Sequence, residues 1–332
     1  MFFSNGLGID VSDNHIRVAK LSHDGSVSVL KESPLPAGII IDDLIVKEEL
    51  FQSHLLGFIS KDQELAGSDV RVTALVPDSR VFIGTFWLPA SAKEATRQSE
   101  ALRRGQTVIP VPFKSARVDV EFGGVIDEQL ATAVFASETR VISRIESGIG
   151  ALKMPLAAIE MDAAATHRLI VDARRNPDEK EAIATIVDFG RNWINVTLFD
   201  ELHLPIFSRA IRVKSLRNDE ANSENKLSAT EIRKICDIVS ETIQYFRGAE
   251  GSISIFLAGK GGGVPEIVSI CKEQLASYHV SSVSEAVSLP GVSPEDVQAF
   301  AAAIGAAKRA IRPRKYKQHH NFNQAILYEG LQ

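Results

Sequence analysis

Apolar and polar positions alternate with a period of two over residues 6–11, 15–21 and 27–31, the mark of strands with one buried face. His23-Asp24-Gly25 supplies the hairpin turn between the last two. A helical period follows over Val46–Ile59. Strand patterns then run over Val70–Val76, stopped by Pro77-Asp78, and over Arg80–Trp87, stopped by Leu88-Pro89. From Ser91 the texture changes: a polar helix Ser91–Gly105, the turn Ile109–Phe113, strands over Ala116–Glu121 and Leu130–Ala136, and a helix Ser137–Leu152 with Ser137 as its cap. A strand Pro155–Glu160 and a helix Asp162–Val171 precede the polar stretch Asp172–Glu181. Strand patterns then restart over Ala182–Asp188, Trp193–Phe199 and Leu202–Ala210, with Asp200-Glu201 at a turn. A polar loop over 216–226, an amphipathic helix Ser228–Phe246, a strand Ile253–Ala258 and a helix Val264–Leu275 follow. Ser293-Pro294-Glu295-Asp296 opens the last helix, to Ile311, with a cap, a proline at the first position and acids in the first turn. Two βββ meanders, each ending its first strand on an aspartate, predict an internally duplicated α/β fold.

Length and composition narrow the function classes. At 332 residues the chain is long enough for about two domains. A net charge of −5, with 37 basic against 42 acidic residues, gives no reason to expect nucleic acid as the main partner. Cys236 and Cys271 have neither metal-site nor redox-motif spacing, which suits a reducing compartment. The start of the chain lacks the basic and apolar regions of a secretory signal, and no run approaches the ~20 apolar residues of a membrane span. The expected location is cytoplasmic, with any membrane association made through a partner.

Three turns carry the chemistry. Gly8-Ile9-Asp10-Val11-Ser12, Val187-Asp188-Phe189-Gly190 and Ala258–Gly263 each follow an apolar strand. Successive backbone N–H groups in a tight turn form an anion concavity, and glycine permits both the backbone angles and the close approach of a ligand. An aspartate at each strand end suits the water shell of Mg2+, which keeps several waters and takes one or two carboxylates plus phosphate. Asp10 and Asp188 are therefore the expected metal-side residues, beneath a lid formed by Gly259, Gly261, Gly262 and Gly263.

On these motifs the chain resembles the actin-like ATPase superfamily, and within it the branch of the type IV pilus protein PilM and the cell-division protein FtsA. The family's first phosphate loop, Gly-Ile-Asp-Ile-Gly-Ser-Ser-x-Ile-Lys, matches Gly8–Arg17. Its second, Val-Asp-Ile-Gly, matches Val187–Gly190, and its adenosine turn, Ser-Gly-Gly-Gly-Ala-x-x-Pro, matches Ala258–Pro265. The resemblance implies two related domains around an ATP and Mg2+ cleft: residues 1–83 with 155–181 (IA), and 182–215 with 252–311 (IIA). It also implies an inserted subdomain over 84–154, a small helical subdomain (IIB) over 216–251 and a tail over 312–332. The cofactor-binding set it implies is Asp10, Ser12, Asp13, Asn14, Arg17, Asp188, Gly190, Asn192, Arg233, Lys234 and the four lid glycines. Glu160 is expected to orient the attacking water. The small residues of Phe300–Ala307 are expected to let a helix pack closely. The implied partner is the N-terminal cytoplasmic peptide of a PilN-like membrane protein, docked beside the inserted subdomain, with other pilus inner-membrane proteins and self-association in prospect.

Departures from the family pattern set the alternatives. Ser12 and Asp13 stand where the family has Gly and Ser, and a carboxylate at 13 weakens the case for bound phosphate. A nucleotide-free scaffold of the same fold is therefore a second reading. An FtsA-like protein is a third, although residues 312–332 do not form that family's basic amphipathic helix, and a sugar kinase is a fourth. His320-Asn321-Phe322-Asn323 is similar to the Asn-rich start of PilN-type peptides. The tail is thus either disordered or seated in the partner groove of its own chain.

Overall fold

The computed structural model describes residues 5–12, 14–67, 69–173, 184–213, 227–246, 253–312, 315 and 319–324. Its first sheet is built from β1 (Asn5–Val11), β2 (His15–Leu21), β3 (Val27–Pro34), β6 (Val70–Val76) and β10 (Leu156–Met161), in the order β10-β6-β1-β2-β3. Its second holds β11 (Ala184–Phe189), β12 (Trp193–Phe199), β13 (Pro205–Arg212), β14 (Ser254–Ala258) and β15 (His279–Ser282), in the order β13-β12-β11-β14-β15. In each, the first strand pairs antiparallel with the second and parallel with the fourth. The two halves thus share one topology, as the repeated meander predicts. The shared register puts Asp10 and Asp188 at equivalent strand ends, opposite Arg17 and Asn195 respectively.

A third sheet, ordered β7-β9-β8, comprises β7 (Phe82–Pro89), β8 (Ala116–Ile126) and β9 (Gln129–Glu138). It packs a small apolar core against α2 (Glu94–Val108). Two strands of two residues, β4 (Ile40–Ile41) and β5 (Leu44–Ile45), form a hairpin whose turn residues Asp42 and Asp43 have positive φ. α1 (Glu48–Ile59) and α3 (Thr139–Ala151) bury Phe51, Leu55, Ile142 and Ile145 in the first sheet's core. α5 (Ala229–Phe246) and α7 (Pro265–Gln274) cover the second sheet, where Cys236 and Cys271 lie buried with their sulfurs 3.5 Å apart.

Between the sheets run α4 (Asp162–Ala173) and α9 (Pro294–Ile311). Ser293 caps α9 by accepting the Asp296 N–H, with Pro294 at the first helical position. A Cβ at Gly305 would stand 1.8 Å from the Ala165 carbonyl oxygen, and one at Gly8 would stand 1.9 Å from that of Ala303. The small residues of α9 therefore set its distance from α4 and β1. Gly305→Ala forces rigid backbone apart and should cost about 3 kcal/mol of stability, read as a lower urea midpoint with an unchanged slope.

Two local expectations are corrected and one pair of elements is new. Ser137 is buried inside β9 and makes no cap; the helix begins two residues later, with Glu138 at the cap position. The glycine run is a one-turn helix, α6 (Gly259–Gly262), rather than an open turn. β15 and the short α8 (Val283–Ala286) had no periodic signal, because β15 has only four residues and the last three are buried in succession. The tail is corrected in part as well: residues 320–322 are buried against β8, β9 and β10, with Phe322 fully enclosed.

Candidate functional site

The strand ends that carry the two aspartates open into one cavity of about 500 Å³. β1 and the turn after it contribute Asp10, Val11, Ser12, Asn14 and, from β2, Arg17. β11 and its turn contribute Asp188, Gly190, Arg191 and Asn192; the α6 turn adds Gly259, Lys260 and Gly261. The two predicted loops and the lid therefore meet at one hollow, floored by Ala299, Ala301 and Ala302 of α9.

Gly259 is the closest point of that meeting. Its φ is +71°, and a Cβ there would fall 2.2 Å from Asp188 Oδ1. Only glycine gives both the backbone angle and the space for the second loop. Gln298 of α9 pins the turn: its side-chain amide donates to the carbonyls of Leu257 and Gly259, at 2.9 and 2.8 Å, and accepts the Ser284 N–H.

The electrostatics are those of crowded carboxylates. Burial, reinforced by Asp10, pushes Asp188 up to about 6; burial also raises Asp10, against the pull of Arg17 3.6 Å away. Asp78, which accepts the Ala163 N–H at the start of α4, is pushed up to about 7 by burial, with Asp188 adding to the rise. Asp162, the first residue of α4, is raised well above the usual range by burial and by Asp10, Asp78 and Asp188. These groups hold protons in the folded chain that the unfolded chain has released. In the absence of a cation, stability is therefore full near pH 4 and falls as pH rises through about 6 to 7. Denaturant midpoints should be lower at pH 8 than at pH 5, by on the order of 1–3 kcal/mol, with Mg2+ restoring part of the loss.

The donors and acceptors fit a hydrated Mg2+ with a nucleoside triphosphate. Asp162 Oδ1, Asn195 Oδ1 and Trp193 Nε1 are buried cavity-lining atoms with no hydrogen-bond partner in the structure. Among the described residues no three His, Cys, Asp or Glu side chains converge as a direct metal site. Arg17, Arg191 and Lys260 bring positive charge to the same walls.

Several expected residues lie elsewhere. Glu160 is fully buried and outside the cavity: Arg168 grips it with two bonds, at 2.7 and 2.5 Å, and Arg309 donates to it as well. Burial alone would raise its pKa, but the two guanidiniums outweigh it and hold Glu160 down to about 2. An acid so paired has no access to a water in the cleft. Asp162, two residues on, reaches the cavity because the chain turns from strand to helix there. Arg233 and Lys234 are exposed on α5 and do not line the cavity; Leu227, just before that helix, does. Gly262 and Gly263 lie behind the lid, against Leu257 and Gln298. Asp13 lies outside the described residues.

Among the described residues, two ion pairs join the halves at the rim. Lys260 Nζ meets Glu32 of β3 at 2.5 Å, and Arg212 of β13 meets Asp42 at 2.8 Å. Glu32 also takes Arg17, at 3.3 Å.

Comparison with known proteins adds to this geometry. No family model matches the sequence, and no curated protein does either. Among solved structures, a PilM–PilN type IV pilus biogenesis complex matches with a TM-score of 0.75 over 93% of this chain and 99% of that one, at 15% identity. A Bacteroides thetaiotaomicron VPI-5482 protein, described as having an actin-like ATPase fold and unknown function, matches at 0.51 over 90% of this chain and 96% of its own, at 9% identity. The chain has the actin-like ATPase fold. The ethanolamine utilization protein EutJ from Carboxydothermus hydrogenoformans matches at 0.53 over 91% of this chain and 89% of its own, also at 9% identity. At these identities the likeness concerns the actin-like fold alone. Among the described residues no helix is long and apolar enough to cross a membrane.

Proposed function

We propose that this chain is an ATP-binding, actin-like assembly protein of a type IV pilus or a related secretion machine. The observation that carries the reading is the convergence of Asp10 and Asp188, from two separate sheets, on one cavity closed over by Gly259. In this reading Asp10 and Asp188 hold the water shell of Mg2+, and the N–H groups of the two strand turns face the phosphates. Arg17, Arg191 and Lys260 offset phosphate charge, and the space beside Gly259, Gly261 and Ile267 takes the nucleoside. The bound cation supplies charge compensation for the phosphates. Asp162, with its raised pKa and unpartnered Oδ1, replaces Glu160 as the group that orients a water. Nucleotide that touches both halves favours their closed arrangement, so it acts as a conformational ligand. The PilM–PilN likeness supports a PilN-like peptide as partner, which would bring this chain to the inner face of the cytoplasmic membrane. Isothermal titration with Mg-ATP should show saturable binding below millimolar nucleotide, and a flat titration would sink the reading.

The scaffold alternative rests on Arg17. Its guanidinium is engaged by Asp10 and Glu32 rather than left for phosphate. Under that reading the same titration is flat while partner binding persists.

A further inference from the structure

Glu32, on the edge strand β3 of the first sheet, stands where the cations of the two halves meet. Its Oε2 accepts from Lys260 Nζ of the lid turn at 2.5 Å, and its Oε1 faces Arg17 Nη2 at 3.3 Å and His15 Nε2 at 3.4 Å. Burial alone would raise its pKa, but Lys260, Arg17 and His15 outweigh burial and hold the carboxyl below its usual range, so it is ionised at neutral pH. Burial in turn pulls His15 down against the attraction of Glu32. The His15 ring is therefore neutral at pH 7 and above, and the cations of the group are Arg17 and Lys260. Glu32 itself does not line the cavity, whereas all three of its partners do. A carboxylate outside the hollow thus holds the groups that face into it.

A bridge whose only task was to tie the halves together would have no need of cavity residues. The other rim pair is of that kind: neither Arg212 nor Asp42 lines the hollow. Glu32 instead engages a guanidinium and an ammonium through the charge-assisted bonds that a phosphate oxygen would accept. Arg17 also keeps a donor in reserve. Its Nη1 lies 3.6 Å from Asp10 and its Nη2 is turned to Glu32, while the buried Nε has no hydrogen-bond partner. A chain of phosphate groups entering the hollow offers more anionic oxygens than one carboxylate. It can replace Glu32 on Lys260 and Arg17 and take over the crossing between the halves. The exchange lowers the ligand's apparent affinity by the fraction of molecules in which Glu32 has let go.

We propose that Glu32 is a built-in competitor for a polyphosphate ligand, holding Arg17 and Lys260 until the phosphate chain displaces it. This competition rests on the reading of the hollow as a phosphate site, but not on the nucleoside. Under it, the engagement of Arg17 by Asp10 and Glu32 is the guarded state of a phosphate site rather than the sign of a lost one. A tethered carboxylate also acts at a high effective concentration, so only a ligand with several anionic groups displaces it.

The probes are inorganic tripolyphosphate with Mg2+, and Mg-ATP, each titrated at constant ionic strength into the full chain and into the full chain carrying Glu32→Gln. The substitution keeps the shape of the side chain, and the variant should bind tripolyphosphate about tenfold more tightly than the unaltered chain. Removing any rim carboxylate also weakens the local negative field and loosens the halves. Asp42→Asn, which does both without touching a cavity residue, should therefore change the affinity by less than about threefold. Adding Lys260→Gln to Glu32→Gln should shrink the gain below about threefold, because one of the released cations is then missing. If Glu32→Gln fails to fold by circular dichroism, the decision passes to Glu32→Asp. That variant keeps the charge but withdraws the carboxylate by one methylene, and it should show part of the gain. Equal or weaker binding of tripolyphosphate by the folded variant, or an equal gain in Asp42→Asn, overturns the proposal and makes Glu32 a strut of the closed form. Tighter tripolyphosphate binding with no Mg-ATP binding in either chain keeps the proposal and loses the nucleotide reading. Mg-ATP and tripolyphosphate bound equally by both chains do the opposite, and two flat titrations in both chains remove both.

Discussion

Replacing Glu160 by alanine is expected to destabilise the protein by about 3–5 kcal/mol, the range for removing one partner of a buried ion pair. Two guanidiniums depend on this carboxylate. Arg168, from α4, also reaches the Gly305 carbonyl, and Arg309, from α9, also reaches the tail. The loss therefore leaves two buried cations facing each other with no anion between them. Glu160→Gln keeps the shape but not the charge and should fall between alanine and the unaltered protein. The sign with pH is opposite to that of the cleft aspartates. Since Glu160 is held down to about 2, its contribution is complete above about 4.5 and is lost as pH falls through about 2. Chemical denaturation of both variants at pH 7 measures the cost, and a change below 1 kcal/mol would show that the cluster relaxes around the gap.

The second large effect is on ligand affinity. Asp188→Asn is isosteric, so it respects the narrow space against Gly259, and it removes one of the charges crowded around Asp162 and Asp10. Without ligand the variant should melt at a higher temperature than the unaltered chain at pH 8, because a carboxylate pushed up to about 6 is costly to ionise there. With Mg-ATP the order should reverse. Loss of half the metal-side charge should weaken binding about 100-fold, equivalent to about 2.7 kcal/mol. Titration calorimetry and thermal melts on one preparation read both arms. Higher stability with undiminished affinity would mean that Asp188 faces the cavity without serving the ligand.

The strands and their duplication were legible in the sequence because each is a short apolar run bounded by turn residues, although the central strands β1, β6, β11 and β12 are buried on both faces rather than alternating. Asp10, Asp188 and the glycine run were legible because turn chemistry is local. The acid at the end of β10 was not. Glu160 and Asp162 are two apart, so a strand pattern puts both on one face. Which of them meets the cleft depends on how the chain turns where strand yields to helix: the strand runs one residue past its predicted end, to Met161, and the helix begins at Asp162 as predicted. Gln298 had no local signal at all, since its role comes from a lid 39 residues earlier in the chain. Arg233 and Lys234 came from the resemblance and their place on a long helix, and amphipathic periodicity does not say which polar stripe faces a ligand. The tail hid for a related reason: its one large enclosed side chain, Phe322, sits among polar residues whose partners are all distant in sequence.

The rim bridges Lys260–Glu32 and Arg212–Asp42 have a consequence for any experiment on this molecule. Parting the two halves means pulling opposite charges away from each other at a solvent boundary, and dissolved electrolyte lowers that work. The buffer therefore sets how firmly the halves are held: at 50 mM sodium chloride the Debye length is about 14 Å and the rim bridges act almost unscreened, whereas at 500 mM it is about 4 Å and much of their pull is lost.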